Sequence, residues 1–173
     1  MVFAIFSILA ALVLPKVKVE NAQVDTAARL IGMTLMSAQR DAASRQHNVL
    51  VLFDTSAHLV KTVWDGNNNG QVDGGEKTRL FLIPDRVVLG RPKGVSALGT
   101  ATSSVPLMKS NARGPYLIVQ RNGAIDRSVT LYLSTNRAMK GGKDKDSRAV
   151  IIARATGRPD WYAWTGTKWR RGL

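Results

Sequence analysis

Residues 1–45 read MVFAIFSILAALVLPKVKVENAQVDTAARLIGMTLMSAQRDAASR, two unlike halves joined at Pro15. Met1 to Leu14 carry no charge and one clearly polar side chain, Ser7; Lys16 and Lys18 follow the proline. From Val19 to His47, Ala22, Ala27, Ala28, Leu30, Ile31, Leu35, Met36, Ala38, Ala42 and Ala43 recur mostly three or four apart, among Asp25, Arg29, Gln39, Arg40, Asp41 and Arg45. This period describes an amphipathic helix, favoured by alanine and weakened at Gly32 by about 1 kcal/mol. With Pro15 kinking the helix instead of ending it, one rod runs from residue 1 to about residue 45, roughly 68 Å at ~1.5 Å per residue. The apolar half is membrane-seeking, yet its fourteen residues rise only about 21 Å, short of the roughly 30 Å hydrocarbon layer that takes about 20 residues to cross. A cleaved signal peptide is the alternative. Ala10 and Ala11 suit a peptidase, but no positively charged segment precedes the apolar run.

Beyond His47 the period shortens from helical to strand-like. Val49 to Phe53, Leu59 to Trp64, Arg79 to Ile83, Arg86 to Leu89, Tyr116 to Val119, Val129 to Leu133, Ala149 to Ala153 and Trp161 to Trp164 are β-branched or aromatic runs separated by turn residues. Asn122-Gly123 is a hairpin signal between two of them. The expected fold is α+β: a long N-terminal helix packed on a small antiparallel β domain. The expected division is an apolar helix over 1–15, its amphipathic continuation over 16–47, and a β domain over 48–173 with loops at 90–115 and 140–147.

The 173 residues hold no cysteine, which removes disulfides, thiolate metal sites and cysteine nucleophiles. The net charge is +13, and it is unevenly placed: residues 16–45 carry +2, residues 46–83 carry −1, and residues 84–173 carry +12. A field of that sign attracts any polyanion without choosing among them. Near the C-terminus Arg158, Lys168, Arg170 and Arg171 lie among Trp161, Tyr162, Trp164 and Trp169, a mixture that would hold phosphates and stack bases; the alternative is tryptophans capping the core beneath a solvated basic face. His47 and His58 stand apart, and neither a Gly-x-Ser-x-Gly elbow nor a phosphate loop nor a paired acid and base is present. The expectation is a protein that is not an enzyme.

The segment from Asp65 to Glu76, DGNNNGQVDGGE, matches the twelve-residue calcium loop. Asp65, Asn67 and Asn69 stand at positions 1, 3 and 5, Gly70 at 6, Gln71 at 7 for its carbonyl, Asp73 at 9 and Glu76 at 12. Calcium takes six to eight oxygens, and a tight turn at the glycine lets alternate residues converge on it. The flanks read as strands, so a helix-opening switch is not expected. A hydrogen-bonded turn is the competing account of the same residues.

Val2 to Pro15, an aliphatic run in which Ile8-Leu9-Ala10-Ala11 leads into a helix-kinking proline, resembles the second part of the N-terminal motif of type IV pilins and pseudopilins. Ala42-Ala43-Ser44-Arg45 before the first strand, the segment at 65–76, and Gly157-Arg158 before Trp161 resemble the GspH/FimT branch of minor pseudopilins. The resemblance implies a minor pseudopilin of a type II secretion system. Such a subunit is single-pass in the inner membrane with its β domain in the periplasm, then enters a filament with other pilin or pseudopilin subunits through its N-terminal helix, and has no small-molecule substrate. It also implies that Met1 lies about seven residues into the usual mature chain, so that the missing apolar residues would bring the helix to a spanning length of about 21. Two alternatives stay open: a FimT-like minor pilin that binds DNA for uptake, and a structural subunit of a surface filament. FimT relatives use a C-terminal Gly-Arg-any-Arg motif, of which Gly157-Arg158-Pro159-Asp160 keeps the first two positions.

Overall fold

The computed structural model describes residues 2–99, 109–111, 114–141 and 144–173, with the backbone alone at 2–19, 109–111, 114 and 144. A single helix, α1 (Val2–Arg45), continues past Pro15. It stops where Gln46 turns left-handed at φ 57°, with the Gln46 side-chain Nε2 donating back to the Ala43 carbonyl (2.8 Å). Among the described residues ten strands follow: β1 (Asn48–Asp54), β2 (Leu59–Asp65), β3 (Thr78–Leu82), β4 (Val87–Leu89), β5 (Lys109–Asn111), β6 (Gly114–Val119), β7 (Val129–Thr135), β8 (Arg148–Ile152), β9 (Pro159–Trp164) and β10 (Trp169–Arg171). They form two antiparallel sheets, ordered β3-β2-β1-β6-β5 and β10-β9-β8-β7-β4.

α1 lies against both sheets. Val24, Ala27, Ala28, Ile31, Leu35, Ala38 and Ala42 are buried at helical spacing and share one core with Val49, Val51 and Phe53 of the first sheet and Leu131, Leu133, Val150 and Ile152 of the second. β1 is apolar on both faces because its outward residues, Leu50 and Leu52, join Val63, Tyr116 and Ile118 in a second cluster, with Val72 of the 65–76 segment packed on it. At ~1.5 Å per residue, the part of α1 in the core, from Val24 to Ala42, is about 28 Å long, and about 33 Å of helix precedes it.

Several expectations change. Asn122-Gly123 does form a tight turn, with Gln120 N–H donating to the Ala124 carbonyl (2.8 Å) and Gly123 at φ 82°. The turn closes only a Val119–Ile125 bridge, after which the chain crosses from β6 in the first sheet to β7 in the second. It therefore does not join neighbouring strands. β5 lies in a stretch read as loop, and β10 was not anticipated; Lys-Ser-Asn and Trp-Arg-Arg carry no strand pattern of their own, and each pairs as an edge onto a stronger neighbour. Ala22, Met36 and Ala43 of the expected apolar face are exposed, because the core follows the narrower stripe through Val24, Ile31 and Leu35.

Gly32 does more than weaken the helix. A Cβ there would overlap the indole of Trp161, whose Nε1–H donates to the Ala28 carbonyl (3.1 Å), so the missing side chain lets β9 approach α1.

Candidate functional site

The segment 65–76 folds as a closed polar turn between β2 and β3. Asp65 is fully buried, and its two oxygens accept from the backbone N–H groups of Asn69 (3.0 Å) and Gly70 (2.7 Å). Asn67 Oδ1 accepts from Asn69 N–H (3.1 Å) and Asn69 Oδ1 from Gln71 N–H (2.7 Å). The Nδ2 groups of Asn67 and Asn69 both donate to Asp73 Oδ2, each at 2.8 Å. Glu76 closes the ring, its carboxylate accepting from Gly66 N–H (3.3 Å) and Asp73 N–H (2.9 Å). The Gly70 carbonyl accepts from the Tyr116 hydroxyl (3.2 Å), and Asn68 Oδ1 from Asn48 N–H (2.7 Å), tying the turn to β6 and β1. All six residues named for calcium are thus gathered in one turn. What converges at its centre, however, is a pair of amide N–H groups on Asp73, where a hard cation would need oxygens. Among the described residues no group of three or more histidine, aspartate or glutamate side chains is arranged to hold a metal.

The basic C-terminal residues lie along the β9–β10 hairpin. Arg171 pairs with Tyr162 in register and with Asp160 through an ion pair (2.6 Å), and that carboxylate holds the exposed guanidinium's pKa above its ordinary value. Arg158 lies four residues before Tyr162, about 13 Å along the strand direction, so it stands apart from Lys168, Arg170 and Arg171, which share β10 and its entry. The tryptophans between them are packed on the two faces of the sheet, and Tyr162 is half-exposed. Trp161 packs on α1, Trp164 is buried with its ring edge-on to Trp169 (5.3 Å between centroids), and Trp169 Nε1–H donates to the Ser96 carbonyl (2.8 Å). These rings serve the fold, and stacking on bases would require undoing that packing.

Where the packed part of α1 begins, charged residues absent from the sequence-derived set hold helix to sheet. Arg148 of β8 donates from Nε to Asp25 (2.5 Å) and from its terminal nitrogen to the carbonyls of Lys145 and Ser147 (3.0 Å each). Glu20 pairs with Arg86 (3.4 Å). Asp146, in a 3-10 turn at Asp144–Asp146 inside a stretch read as solvated loop, is buried beside the Thr135 hydroxyl. Burial, reinforced by the charge of Glu20, raises its pKa above the ordinary carboxylate value against the opposing pull of Arg137, Arg148 and the Thr135 hydrogen bond. Higher on the helix, Gln39 Nε2 donates to the carbonyls of Gly123 (2.8 Å) and Thr156 (3.0 Å), joining one turn from each sheet.

The outward side of α1 and the adjoining sheet edge are open. Leu30, Met33, Met36 and Phe81 form the apolar lining of a groove between α1 and β3, with Arg40 and Arg79 at its rim. Arg45, Lys77 and Arg79 stand 5.5 to 5.9 Å from the ring centroid of Trp64. The apolar run 2–14 contributes no described side chains, and the Pro15 side chain also lies outside the described residues. Among the described residues no helix is long and apolar enough to cross a membrane.

No family model matches the sequence, and no curated protein sequence matches it. Two solved structures of the minor pseudopilin EpsH from the type II secretion system of Vibrio cholerae are similar to it. One is 12% identical over 88% of this chain and 97% of that chain, with a TM-score of 0.51. The other is 13% identical over 87% and 97%, with a TM-score of 0.48. The first supports a shared pilin-like fold, a long N-terminal helix packed on antiparallel sheets.

Proposed function

We propose that this protein is a minor pseudopilin, a subunit that assembles and does not catalyse, held in the inner membrane by the start of α1 before entering a periplasmic filament of a type II secretion system. The carrying observation is α1 itself: 44 continuous helical residues in which the described core contacts begin at Val24, so that an uncharged run at 2–14 sits on the same rod as a folded β domain. Such a run suits hydrocarbon before assembly and the helical centre of a filament afterwards, and Ser7, Ala4, Ala10 and Ala11 would let neighbouring helices approach closely. The similarity to the EpsH fold supports the same reading.

The mass of the N-terminal peptide, taken from the protein made in its own cells, tests it. An N-methylated terminus upstream of an apolar, glutamate-containing stretch is expected; a terminus at or beyond Lys16 would make the protein an exported soluble domain. The DNA-uptake alternative is favoured only by the exposed Arg158, Lys168 and Arg170. It requires DNA retention that falls steeply with salt.

For the turn from Asp65 to Glu76 we propose weak calcium uptake, in which the amides of Asn67 and Asn69 exchange their hydrogen bonds on Asp73 for oxygen contacts to the ion. That exchange places the affinity at the low end, about 0.1 to 1 mM, found for extracellular modules.

A further inference from the structure

β3 is an unusual edge. Among the described residues the other three edge strands, β4, β5 and β10, are three residues each, and β10 ends in two arginines, whereas β3 runs for five. Short, charged edges discourage further pairing; long apolar ones invite it. The Lys77 carbonyl accepts from Trp64 N–H (3.0 Å) and Ile83 N–H donates to the His58 carbonyl (2.7 Å), which with the register fixes the alternation. Residues 77, 79, 81 and 83 face β2, and the N–H and C=O groups of Thr78, Leu80 and Leu82 face away from it. Among the described residues no backbone hydrogen bond reaches β3 from that side.

Apolar surface flanks this open edge on both faces of the sheet. On the helix face, Phe81 adjoins Met33 and Met36, with Met33 66% exposed. On the opposite face, Leu80 and Leu82 are 58% and 77% exposed. A helix laid in the α1–β3 groove would cover only the first. A strand added beside β3 would cover both, since its side chains alternate between the two faces while its backbone takes up the free edge groups. Arg45, Lys77 and Arg79 gather around Trp64 where β3 begins, with Arg40 beside Arg79 in the groove, and none makes an ion pair among the described residues.

We propose that β3 is a strand-addition site, and that its partner is an extended segment of another protein, apolar or β-branched on both faces and acidic at the end that meets Lys77 and Arg79. A second copy is the poorer occupant. Two-fold pairing of β3 with itself would set the two α1 helices antiparallel on one face, which two anchors in one membrane plane forbid; that step alone rests on the proposed function.

The test uses the full chain in detergent micelles and a nine-residue peptide alternating valine and threonine with glutamate at both ends. Hydrogen exchange at Thr78, Leu80 and Leu82 is expected to slow at least about tenfold with millimolar peptide, and the same peptide with lysine ends is expected to do less. Leu80→Pro removes one edge N–H at a position where edge strands tolerate proline and should abolish the protection; Leu82→Lys, which leaves the backbone unchanged, should weaken it. Protection at β4, β5 or β10 instead, protection indifferent to both substitutions, none at all, or protection without peptide that grows with protein concentration would each overturn the proposal. None of these outcomes bears on the N-terminal mass, so the two proposals fail separately.

Discussion

Asp65→Ala would leave the N–H groups of Asn69 and Gly70 without their buried acceptor, at a cost of about 2 to 4 kcal/mol. A fall of roughly 5 to 10 °C in thermal midpoint would report it. Calcium at 10 mM should raise the midpoint of the unaltered protein by a few degrees, since tenfold excess over a Kd of about 1 mM is worth about 1.4 kcal/mol. No shift would leave the segment as a hydrogen-bonded turn. Asp146 makes a separate, pH-dependent prediction. Its folded-state pKa is raised, chiefly by burial and then by Glu20, so the folded protein binds this proton more tightly than the unfolded chain. The resulting stabilisation is present in acid and lost as pH rises through the raised value. Asp146→Asn should therefore raise the thermal midpoint at pH 7, with the gain shrinking toward pH 4. Loop composition announced the calcium-like residues because their spacing is local; it hid Asp146, whose burial is made by Thr135 and α1, far away in sequence.

Among the elements, α1 was legible because its signal is periodic and long, and its limits were set by contacts that no period contains. Gly32 reads as a flaw in a helix, yet Gly32→Ala should destabilise by about 1 to 3 kcal/mol, because the new methyl meets the Trp161 ring and outweighs the helical gain. An unchanged or higher denaturant midpoint would mean that β9 can retreat without loss. Asp25 reads as part of a solvated face; it is the partner of Arg148. Asp25→Ala should cost about 2 to 4 kcal/mol, less than for a fully buried pair because the carboxylate is partly exposed. The strands with β-branched runs were legible for the same reason as the helix. The Asn122-Gly123 turn shows the limit: local chemistry makes the turn, and the packing of two sheets against one helix decides where the chain goes next.

For the whole molecule, the pattern of a long helix followed by many short strands was enough to specify a helix packed on an antiparallel β domain, and the resemblance of Val2 to Pro15 marked it as pilin-like, while its division into two five-stranded sheets was not visible in the order of strands. The surfaces left open, β3 with its flanking methionines and leucines, carry no sequence motif at all; they emerge only once it is clear which apolar residues the core leaves out. A chain without cysteine permits a direct trial of the central claim, which is assembly through the start of α1. Single cysteines at Leu9 and at the exposed Asn122 would be introduced separately and oxidised in intact cells of the source organism. The Leu9→Cys protein is expected to cross-link to another filament subunit carrying a cysteine in its own N-terminal helix, the adduct to disappear when the assembly machinery is disabled, and Asn122→Cys to give none. A Leu9→Cys protein that stays uncross-linked and reacts readily with a water-soluble maleimide would contradict that claim.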